Sequence, residues 1–531
     1  MKRYLLDCTL RDGGYVNDWN FGKDYISYIF NRQVSSGVDV IEVGFLDERR
    51  PFDPDRTIMP DTDSVNRIFG ELDRGQAMAV AMIDYGTCGI ERLQPCDACW
   101  LDGIRVIFKK EIMYQALAFC KRVKALGYQV FVQAVSITSY NDEELAELIG
   151  LVNDCHPYAM SMVDTYGLLD AEGLSRIVTV IDEKLLPDIL LGYHAHNNFQ
   201  LGYANVMFML NSTLKHDILV DGTLYGMGKS AGNAPVELIA MYMDANFNKN
   251  YDVLQMQEAI STGILDIYKK KPWGYTLFYY IAAANKCHPD YVSYLMNKRT
   301  LSVSAINEIL KQLPEGDRLG KNMKLIEQLY LEYQKREACD SGCVEELRAA
   351  LSGKSVLLLG PGRTVERQKG EILQYIAENR PVVISINYIP DIAACDFLFL
   401  TNSRRYLQMA GKLADPVYHD LPIIATSNVK ETASQFPYVV NYSSLIDETA
   451  EIPDNSMVML LKLLRNVGVR ECALAGFDGY TPDTLNYFDT NMEYSFVKEK
   501  ADSLNRYAKE FFRQFRNDIP ICFVTRSYYQ E

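Results

Sequence analysis

The most constraining feature of this sequence is a regular alternation of short apolar runs and amphipathic segments over its first 245 residues. Eight runs have the length and the Val/Ile content of buried strands, and the segments between them have helical spacing. The eight predicted strands are residues 4–7, 38–45, 77–83, 103–108, 129–136, 159–164, 189–194 and 218–221. Such units close into a parallel (β/α)8 TIM barrel, which we predict for residues 1–248 of this α/β protein. An open doubly wound sheet is disfavoured, because no run has the composition of an edge strand.

The rest of the chain divides into two further predicted parts. Residues 249–345 have mostly helical spacing and are punctuated by Pro272, Pro289 and Pro314, so we expect a helical extension there. A second alternation follows, with predicted strands at residues 355–359, 382–387, 397–401, 422–425, 438–441, 472–475 and 521–525. This pattern predicts a doubly wound, Rossmann-like α/β domain over residues 346–531.

Charge and composition exclude several classes of protein. The chain has 54 basic and 69 acidic residues and a net charge of −15, which disfavours nucleic-acid binding and binding to anionic membranes. No apolar stretch approaches the roughly 18 residues of a transmembrane helix, and the N-terminus shows no signal-peptide segment. The 12 scattered cysteines fit a reducing compartment. We therefore expect a cytoplasmic protein.

Two short segments at predicted strand ends carry metal-ligand side chains. The first is Asp-Cys-Thr-Leu-Arg-Asp-Gly-Gly at residues 7–14, and the second is His-Ala-His-Asn-Asn at residues 194–198. Strand side chains alternate, so an H-x-H pair places both rings on one face. A single histidine is more often structural, but this pair uses two of only six histidines. Two imidazoles and one carboxylate predict a divalent metal site with open positions, better suited to Mg²⁺ or Mn²⁺ than to structural zinc.

Further ionisable residues fall near the ends of predicted strands, where barrels of this type carry their active sites. The set comprises Arg11, Asp12, Glu42, Arg105, Asp164, His194, His196 and Asp221. Burying so many charges without partners would be costly, and a shared metal with an anionic substrate would explain them. Alternatively, Glu42 pairs with Arg11 or Arg105 and only holds the barrel mouth together. Asp164 and Asp221 would then cap loops.

Four motifs occur in the order found in the DRE-TIM metallolyases. They are Asp-x-Thr-Leu-Arg-Asp-Gly, Ile-Glu-Val-Gly, His-Ala-His-Asn-Asn and Gly-Met-Gly-Lys-Ser-Ala-Gly-Asn, and they span about residues 3–245. That superfamily includes 3-hydroxy-3-methylglutaryl-CoA lyase, isopropylmalate and citramalate synthases and 4-hydroxy-2-oxovalerate aldolase. The strand-seven motif, His-Ala-His-Asn-Asn-x-x-Leu-Gly-x-Ala-Asn, resembles the aldolases more than the acyl-CoA condensing enzymes.

The resemblance implies a metal site and a reaction class. It implies a divalent ion, Mn²⁺ or Mg²⁺, held by Asp12, His194 and His196, with Asn233 as a fourth ligand. It further implies a carbon–carbon lyase that acts on a 2-oxo acid and an aldehyde through a metal-bound pyruvate-type enolate.

The candidate catalytic residues are Arg11, which the resemblance implies, together with Glu42 and Tyr15. Arg11 stabilises the enolate in this scheme. Tyr15 stands where the aldolases carry a general-base histidine, so it is either the proton-transfer residue or a wall of the pocket. Two alternatives stay open, an acyl-CoA condensing enzyme and a non-catalytic barrel that serves as a scaffold for the C-terminal domain.

A glycine turn at residues 360–362 suggests a ligand site in the second domain. The turn follows a predicted strand, and such turns can present backbone N–H groups to a phosphate. The Gly-Pro-Gly sequence and the later Ile386-Asn387 loosely resemble the MptE-like nucleotide-phosphate-handling domains. We therefore expect a nucleotide or sugar-phosphate ligand here, with a ligand-free interaction domain as the alternative. A homodimer is a further expectation.

Overall fold

The computed structural model describes residues 1–298, 301–335, 339–429, 436–447, 450, 452–493 and 495–530. The chain forms two compact units, residues 1–289 and 290–531. The division into parts at 248 and 345 stays a prediction. Within the described residues, no helix combines the length and apolarity needed to cross a bilayer.

The first unit is a closed parallel barrel. Its strands are β1 Arg3–Asp7, β2 Val40–Leu46, β3 Ile58–Met59, β4 Met78–Asp84, β5 Gly103–Phe108, β6 Gln129–Ala134, β7 Ala159–Asp164, β8 Leu190–Ala195 and β9 Ile218–Gly222. The main strands pair in sequence order, and β1 pairs in parallel with both β2 and β9, which closes the sheet. The predicted TIM barrel and its eight strands are thus confirmed. The two-residue β3, which pairs with β2, was not predicted.

The first unit also contains α-helices. They are Gly14–Asn17, Lys23–Ser36, Thr62–Phe69, Met113–Ala125, Asp142–Cys155, Ala171–Lys184, Gly202–Asn211, Val236–Phe247, Val253–Ala259, Leu265–Lys270 and Leu277–Ala284. The helix Lys23–Ser36 shows why such segments fold this way. It buries Ile26, Ile29, Phe30 and Gln33, which recur at helical spacing, and leaves its polar face to solvent.

The barrel interior changes from apolar to polar along the strands. One apolar layer of the interior contains Leu6, Val40, Val80, Phe131, Ala159 and Leu219. Two residues further along four of these strands lie Glu42, Gln133, Ser161 and Asp221, all buried. Because strand side chains repeat every two residues, each of these polar groups faces the same interior as the apolar residue before it. The apolar layer therefore forms the floor of a polar site at the carboxyl ends.

The second unit is a doubly wound parallel sheet. Its strands are β10 Ser355–Leu359, β11 Val382–Ile386, β12 Phe397–Leu400, β13 Ile423–Thr426, β14 Tyr438–Val440, β15 Glu471–Ala475 and β16 Ile521–Phe523. They lie in the order β14-β13-β12-β11-β10-β15-β16, so the direction of winding reverses between β10 and β15. All seven predicted strands are present, and the Rossmann-like class is confirmed.

Alternate residues of these strands enter two separate cores, one on each face of the sheet. The helices of this unit are Pro289–Asn297, Val303–Lys311, Glu315–Arg318, Met323–Gln334, Ser341–Leu351, Thr364–Arg367, Lys369–Asn379, Ser403–Leu413, Tyr442–Leu445, Ser456–Val467, Ser495–Glu499 and Ala501–Phe515. The helices Ser456–Val467 and Ala501–Phe515 pack in one core, whereas Ile372 and Met409 bring their helices into the other.

Gly44 allows β2 to approach the backbone of Thr57 closely, just before β3, and its replacement tests this arrangement. Its φ is +152°, and a Cβ there would lie 1.9 Å from the carbonyl oxygen of Thr57. We expect Gly44→Ala to lower the free energy of unfolding of the barrel by about 3 kcal/mol or more. All three tryptophans, Trp19, Trp100 and Trp273, lie in the first unit, so tryptophan fluorescence in urea reports on the barrel alone.

The matched control is Gly86→Ala. Gly86 also has a positive φ, +97°, but a Cβ there has no atom within 4 Å. Only backbone strain of about 1–2 kcal/mol is then expected. Equal losses of stability in the two variants would contradict a steric role for Gly44.

Candidate metal centre

Three predicted ligands converge at the carboxyl end of the barrel. Asp12 lies in the tight turn after β1, His194 lies on β8, and His196 follows that strand. One ligand atom from each lies within 4.8 Å of the others, and all three residues are buried. The two imidazole rings meet edge to face, with centroids 5.1 Å apart. The predicted carboxylate and both imidazoles can therefore share one ion.

Hydrogen bonds orient both imidazoles. His194 Nδ1 lies 3.0 Å from Asp221 Oδ2, and its Nε2 lies 3.5 Å from Asp12 Oδ2. His196 Nδ1 lies 3.3 Å from the carbonyl oxygen of Gly232. Anchoring each ring through Nδ1 leaves Nε2 for a metal, which is the usual arrangement around a histidine ligand.

Asn233 completes the donor set. Its Nδ2 donates to Asp12 Oδ1 at 2.9 Å and to the carbonyl of Met227 at 3.2 Å. Its Oδ1 is buried and has no hydrogen-bond partner among the described residues. A buried carbonyl oxygen without a partner is costly, and a cation beside it would remove that cost. The residues present thus fit a divalent ion held by one carboxylate, one amide and two imidazoles.

The protonation states of Asp12 and His196 suit a cation, whereas His194 would have to lose a proton to bind one. Burial opposes ionisation of Asp12, but Arg11 and the two imidazoles outweigh it and hold the pKa of that carboxyl well below its usual range. Burial lowers the pKa of His196 to about 3, so this ring is neutral. Burial also disfavours charge on His194, but hydrogen bonds to Asp12 and Asp221 raise its pKa above the usual value.

Two of these ligands, Asp12 and His194, belong to a closed ring of buried ionisable groups. Arg11 Nε donates to Glu42 Oε2 at 2.7 Å, and Arg11 Nη1 donates to Asp12. Glu42 Oε2 lies 3.0 Å from Arg105 Nη1, and Arg105 Nη2 donates to Asp221 Oδ2 at 2.5 Å. His194 then connects Asp221 back to Asp12. Glu42 therefore pairs with both arginines, and Asp221 contacts an arginine and a histidine.

A second cluster of potential ligands among the described residues comprises Cys8, His194 and Asp221. Burial raises the pKa of the Cys8 thiol well above its usual value, and only the thiolate is a good ligand. Asp221 is already bound by Arg105. The cluster around Asp12 is therefore the better metal site.

Tyr15 lies at the mouth of the site. Its ring is partly exposed and meets the rings of Trp19 and Phe45 edge to face, with centroids 4.8 and 5.9 Å away. Desolvation, with the nearby charge of Asp12, raises the pKa of Tyr15 well above its usual value, so the phenol is neutral. A neutral phenol can donate a hydrogen bond or a proton, but it is a weak base.

Sequence reasoning missed the part played by Lys229. Its backbone N–H donates to Asp12 Oδ1 at 2.9 Å, and its Nζ lies 5.4 Å from the centroid of the Tyr15 ring. The signal was available, because Lys229 lies inside the glycine-rich motif before Asn233. Glycines in such a motif are typical of a close approach by the backbone, but they do not show which side-chain atom the backbone contacts.

Comparisons with known proteins match the barrel part of the chain to a family. The family model described as HMGL-like matches residues 2–262. Residues 2–262 are an HMGL-like domain.

Relatives of the HMGL-like domain include aldolases and a decarboxylase, and each match covers about half of this chain. 4-Hydroxy-2-oxovalerate aldolase 2 from Salinispora arenicola is 28% identical over 246 residues, which cover 45% of this chain and 68% of that protein. The oxaloacetate decarboxylase of Mycobacterium tuberculosis is 23% identical over 237 residues, covering 44% and 68%. The crystal structure of Bacillus subtilis HMG-CoA lyase covers 51% of this chain and 95% of its own, with 15% identity and a TM-score of 0.41.

Glu42→Gln tests the ring of buried charges. The substitution removes the carboxylate shared by Arg11 and Arg105 and leaves two buried guanidinium groups with less counter-charge. We expect the free energy of unfolding of the barrel, followed by tryptophan fluorescence in urea, to fall by about 3–5 kcal/mol.

The control is Glu48→Gln, which breaks the exposed ion pair with Arg92. The expected loss there is below about 1 kcal/mol. A loss for Glu42→Gln no larger than that of the control would show that the ring does not stabilise the barrel.

Proposed function

We propose that the HMGL-like domain is a divalent-metal-dependent lyase or aldolase. It makes or breaks a carbon–carbon bond next to the carbonyl of a 2-oxo acid. The observation that carries this proposal is the cluster of Asp12, His194 and His196 beside the Arg11 guanidinium. In addition, Asn233 Oδ1 has no hydrogen-bond partner in the part of the chain that the structure describes. An aldehyde as the second reactant, a homodimer and a cytoplasmic location stay predictions.

The donor set favours Mn²⁺ or Mg²⁺. Asp12, His194 and His196 would hold the ion, with the amide oxygen of Asn233 as a fourth ligand, and mixed oxygen and nitrogen donors suit these ions. When bound, such an ion acts as a Lewis acid towards the oxygens of a 2-oxo acid.

Arg11 is placed to stabilise negative charge. Burial disfavours its cationic form, but Glu42 and Asp12 reverse this and raise its pKa well above the usual value. The guanidinium therefore stays charged, and its two carboxylate partners fix its orientation. A fixed cation that needs no reorganisation is an effective stabiliser of an oxyanion that develops during reaction.

The two reactions named for the relatives have one intermediate in common. When a 4-hydroxy-2-oxo acid is cleaved, its hydroxyl loses a proton, the C3–C4 bond breaks to release an aldehyde, and the bonding electrons form the pyruvate enolate. Decarboxylation of oxaloacetate gives the same enolate with loss of CO₂. In both cases a proton added at C3 gives pyruvate. We assign Tyr15, whose phenol is neutral, as a proton or hydrogen-bond donor in this step.

Metal binding can be tested without any assay of activity. At a Mn²⁺ concentration a hundredfold above the dissociation constant, binding stabilises the folded barrel by about 2.7 kcal/mol. We expect this stabilisation in tryptophan-monitored urea unfolding of the full chain, and we expect Asp12→Asn to abolish it. The exposed Asp97→Asn serves as the matched control and should leave it unchanged. Equal stabilisation of the Asp12→Asn variant would place the ion elsewhere.

Enolate formation can be tested with pyruvate alone. With Mn²⁺ or Mg²⁺, we expect the protein to exchange the methyl protons of pyruvate for deuterium in D₂O, measured by proton NMR. Asp12→Asn should slow this exchange by about a hundredfold or more, whereas Asp97→Asn should not. A protein that binds Mn²⁺ at Asp12 but exchanges no methyl protons would have a metal site without lyase chemistry. That result would favour the scaffold alternative.

A further inference from the structure

The second unit contains a cavity at the point where the winding of its sheet reverses. The cavity has a volume of ≈ 160 Å³, comparable to a cavity that holds one small ring. Its walls include Gly362 after β10, Asn387 after β11, Thr401 after β12 and Asp478 after β15. In doubly wound sheets, ligands bind outside the carboxyl ends of the strands at such a reversal.

The glycine turn after β10 does not present free N–H groups to this cavity. Gly360 N–H donates to the carbonyl of Ala475 at 2.8 Å, and Gly362 N–H donates to the carbonyl of Gly476 at 2.9 Å. A Cβ at Gly362 would lie 2.4 Å from that carbonyl oxygen of Gly476. The glycines are therefore required because the turns after β10 and β15 pack closely against each other.

A carboxylate already holds the position that a phosphate would take. Asp478 Oδ2 accepts a hydrogen bond from the backbone N–H of Thr364 at 2.9 Å, and Oδ1 accepts one from the Thr364 hydroxyl. Thr364 begins the helix that follows the glycine turn. A phosphate bound there would lie against a like charge. Each carboxylate oxygen has two lone pairs, so Asp478 keeps acceptor capacity for a ligand.

The other walls combine hydroxyl and amide groups with aromatic rings. Asn387 donates to the hydroxyls of Thr401 and Ser456, at 3.2 and 2.8 Å. Phe477 and Tyr487 add aromatic surface. A guanidinium also lines the cavity, but Arg405 donates to the carbonyl of Met492 at 2.6 Å and to Gln408 at 3.1 Å. A phosphate at Arg405 would have to compete with these bonds.

We propose that this cavity binds the hydroxylated ring of a nucleoside or a sugar. Asp478 accepts hydrogen bonds from neighbouring hydroxyls of the ring, as acidic residues do for ribose in other doubly wound domains. The aromatic walls cover the apolar faces of the ligand. Any phosphate that the ligand carries lies away from the glycine turn.

Titration calorimetry on the full-length protein tests this proposal. The probes are adenosine, guanosine, uridine, free ribose and free glucose, together with the 2′,3′-dideoxy and 5′-monophosphate forms of the nucleosides. We expect at least one nucleoside or free sugar to bind. For a nucleoside, the dideoxy form should bind at least about tenfold more weakly, because it lacks the hydroxyls that reach a charged acceptor. The monophosphate should bind no more tightly than the nucleoside.

A variant tests the role of the carboxylate. Asp478→Asn removes the charge and keeps one acceptor oxygen for the N–H of Thr364, while its NH2 group faces the Thr364 hydroxyl oxygen. We expect binding about tenfold weaker. Asp420→Asn, at a fully exposed position, is the matched control and should bind normally.

Three results would overturn the proposal. They are no binding of any probe at millimolar concentration, equal binding of the dideoxy form, and a monophosphate that binds more than about tenfold tighter than its nucleoside. The last result would mean that the cavity is an anion site. The dideoxy comparison uses the unmodified protein, so it does not depend on how well the Asp478 variant folds.

Discussion

The barrel site depends on one constraint, which is that buried charges must compensate each other around a closed ring. Asp12, Arg11, Glu42, Arg105, Asp221 and His194 come from or follow five different strands, and each contacts the next. Each of these charges alone would be expensive to bury. Closing the barrel brings these groups together, so the fold that closes the sheet also orients the candidate metal ligands. The groups that orient these ligands also contact one another.

Much of the barrel could be predicted because its signals are local. Strand runs, helical spacing and the H-x-H pair need only a few neighbouring residues, and β3 escaped prediction because two residues carry no periodicity. The sequence did not decide which charged residues pair with Glu42 and Asp221. Glu42 lies 31 residues from Arg11, and Asp221 lies 116 residues from Arg105. Barrel closure and strand register decide which side chains meet across the interior, and at which level along the barrel axis they meet. The local sequence pattern does not contain this information.

In the glycine turn of the second unit, by contrast, the local sequence pattern was present but the function that it suggested was not supported. The sequence of this turn is typical of a phosphate-binding turn. The strand that precedes the turn lies at the residues that the sequence predicted for it. Whether its amides are free depends on carbonyl groups of Ala475 and Gly476, more than a hundred residues later. Tyr15 is a similar case, because the sequence showed its place in the motif but not its pKa. That pKa depends on the burial and the charges that the folded chain provides around the side chain. Local sequence indicates which groups are present, and tertiary structure decides which are still available.

The order of the ligands along the chain has a consequence for biosynthesis. Asp12 leaves the ribosome about 180 residues before His194, which is ~10–40 s at ordinary rates of translation. Asn233 emerges later still. A nascent chain that is released before His194 is added carries the first carboxylate but neither imidazole. Such a product lacks most of the donor set to which the proposed function assigns a divalent ion.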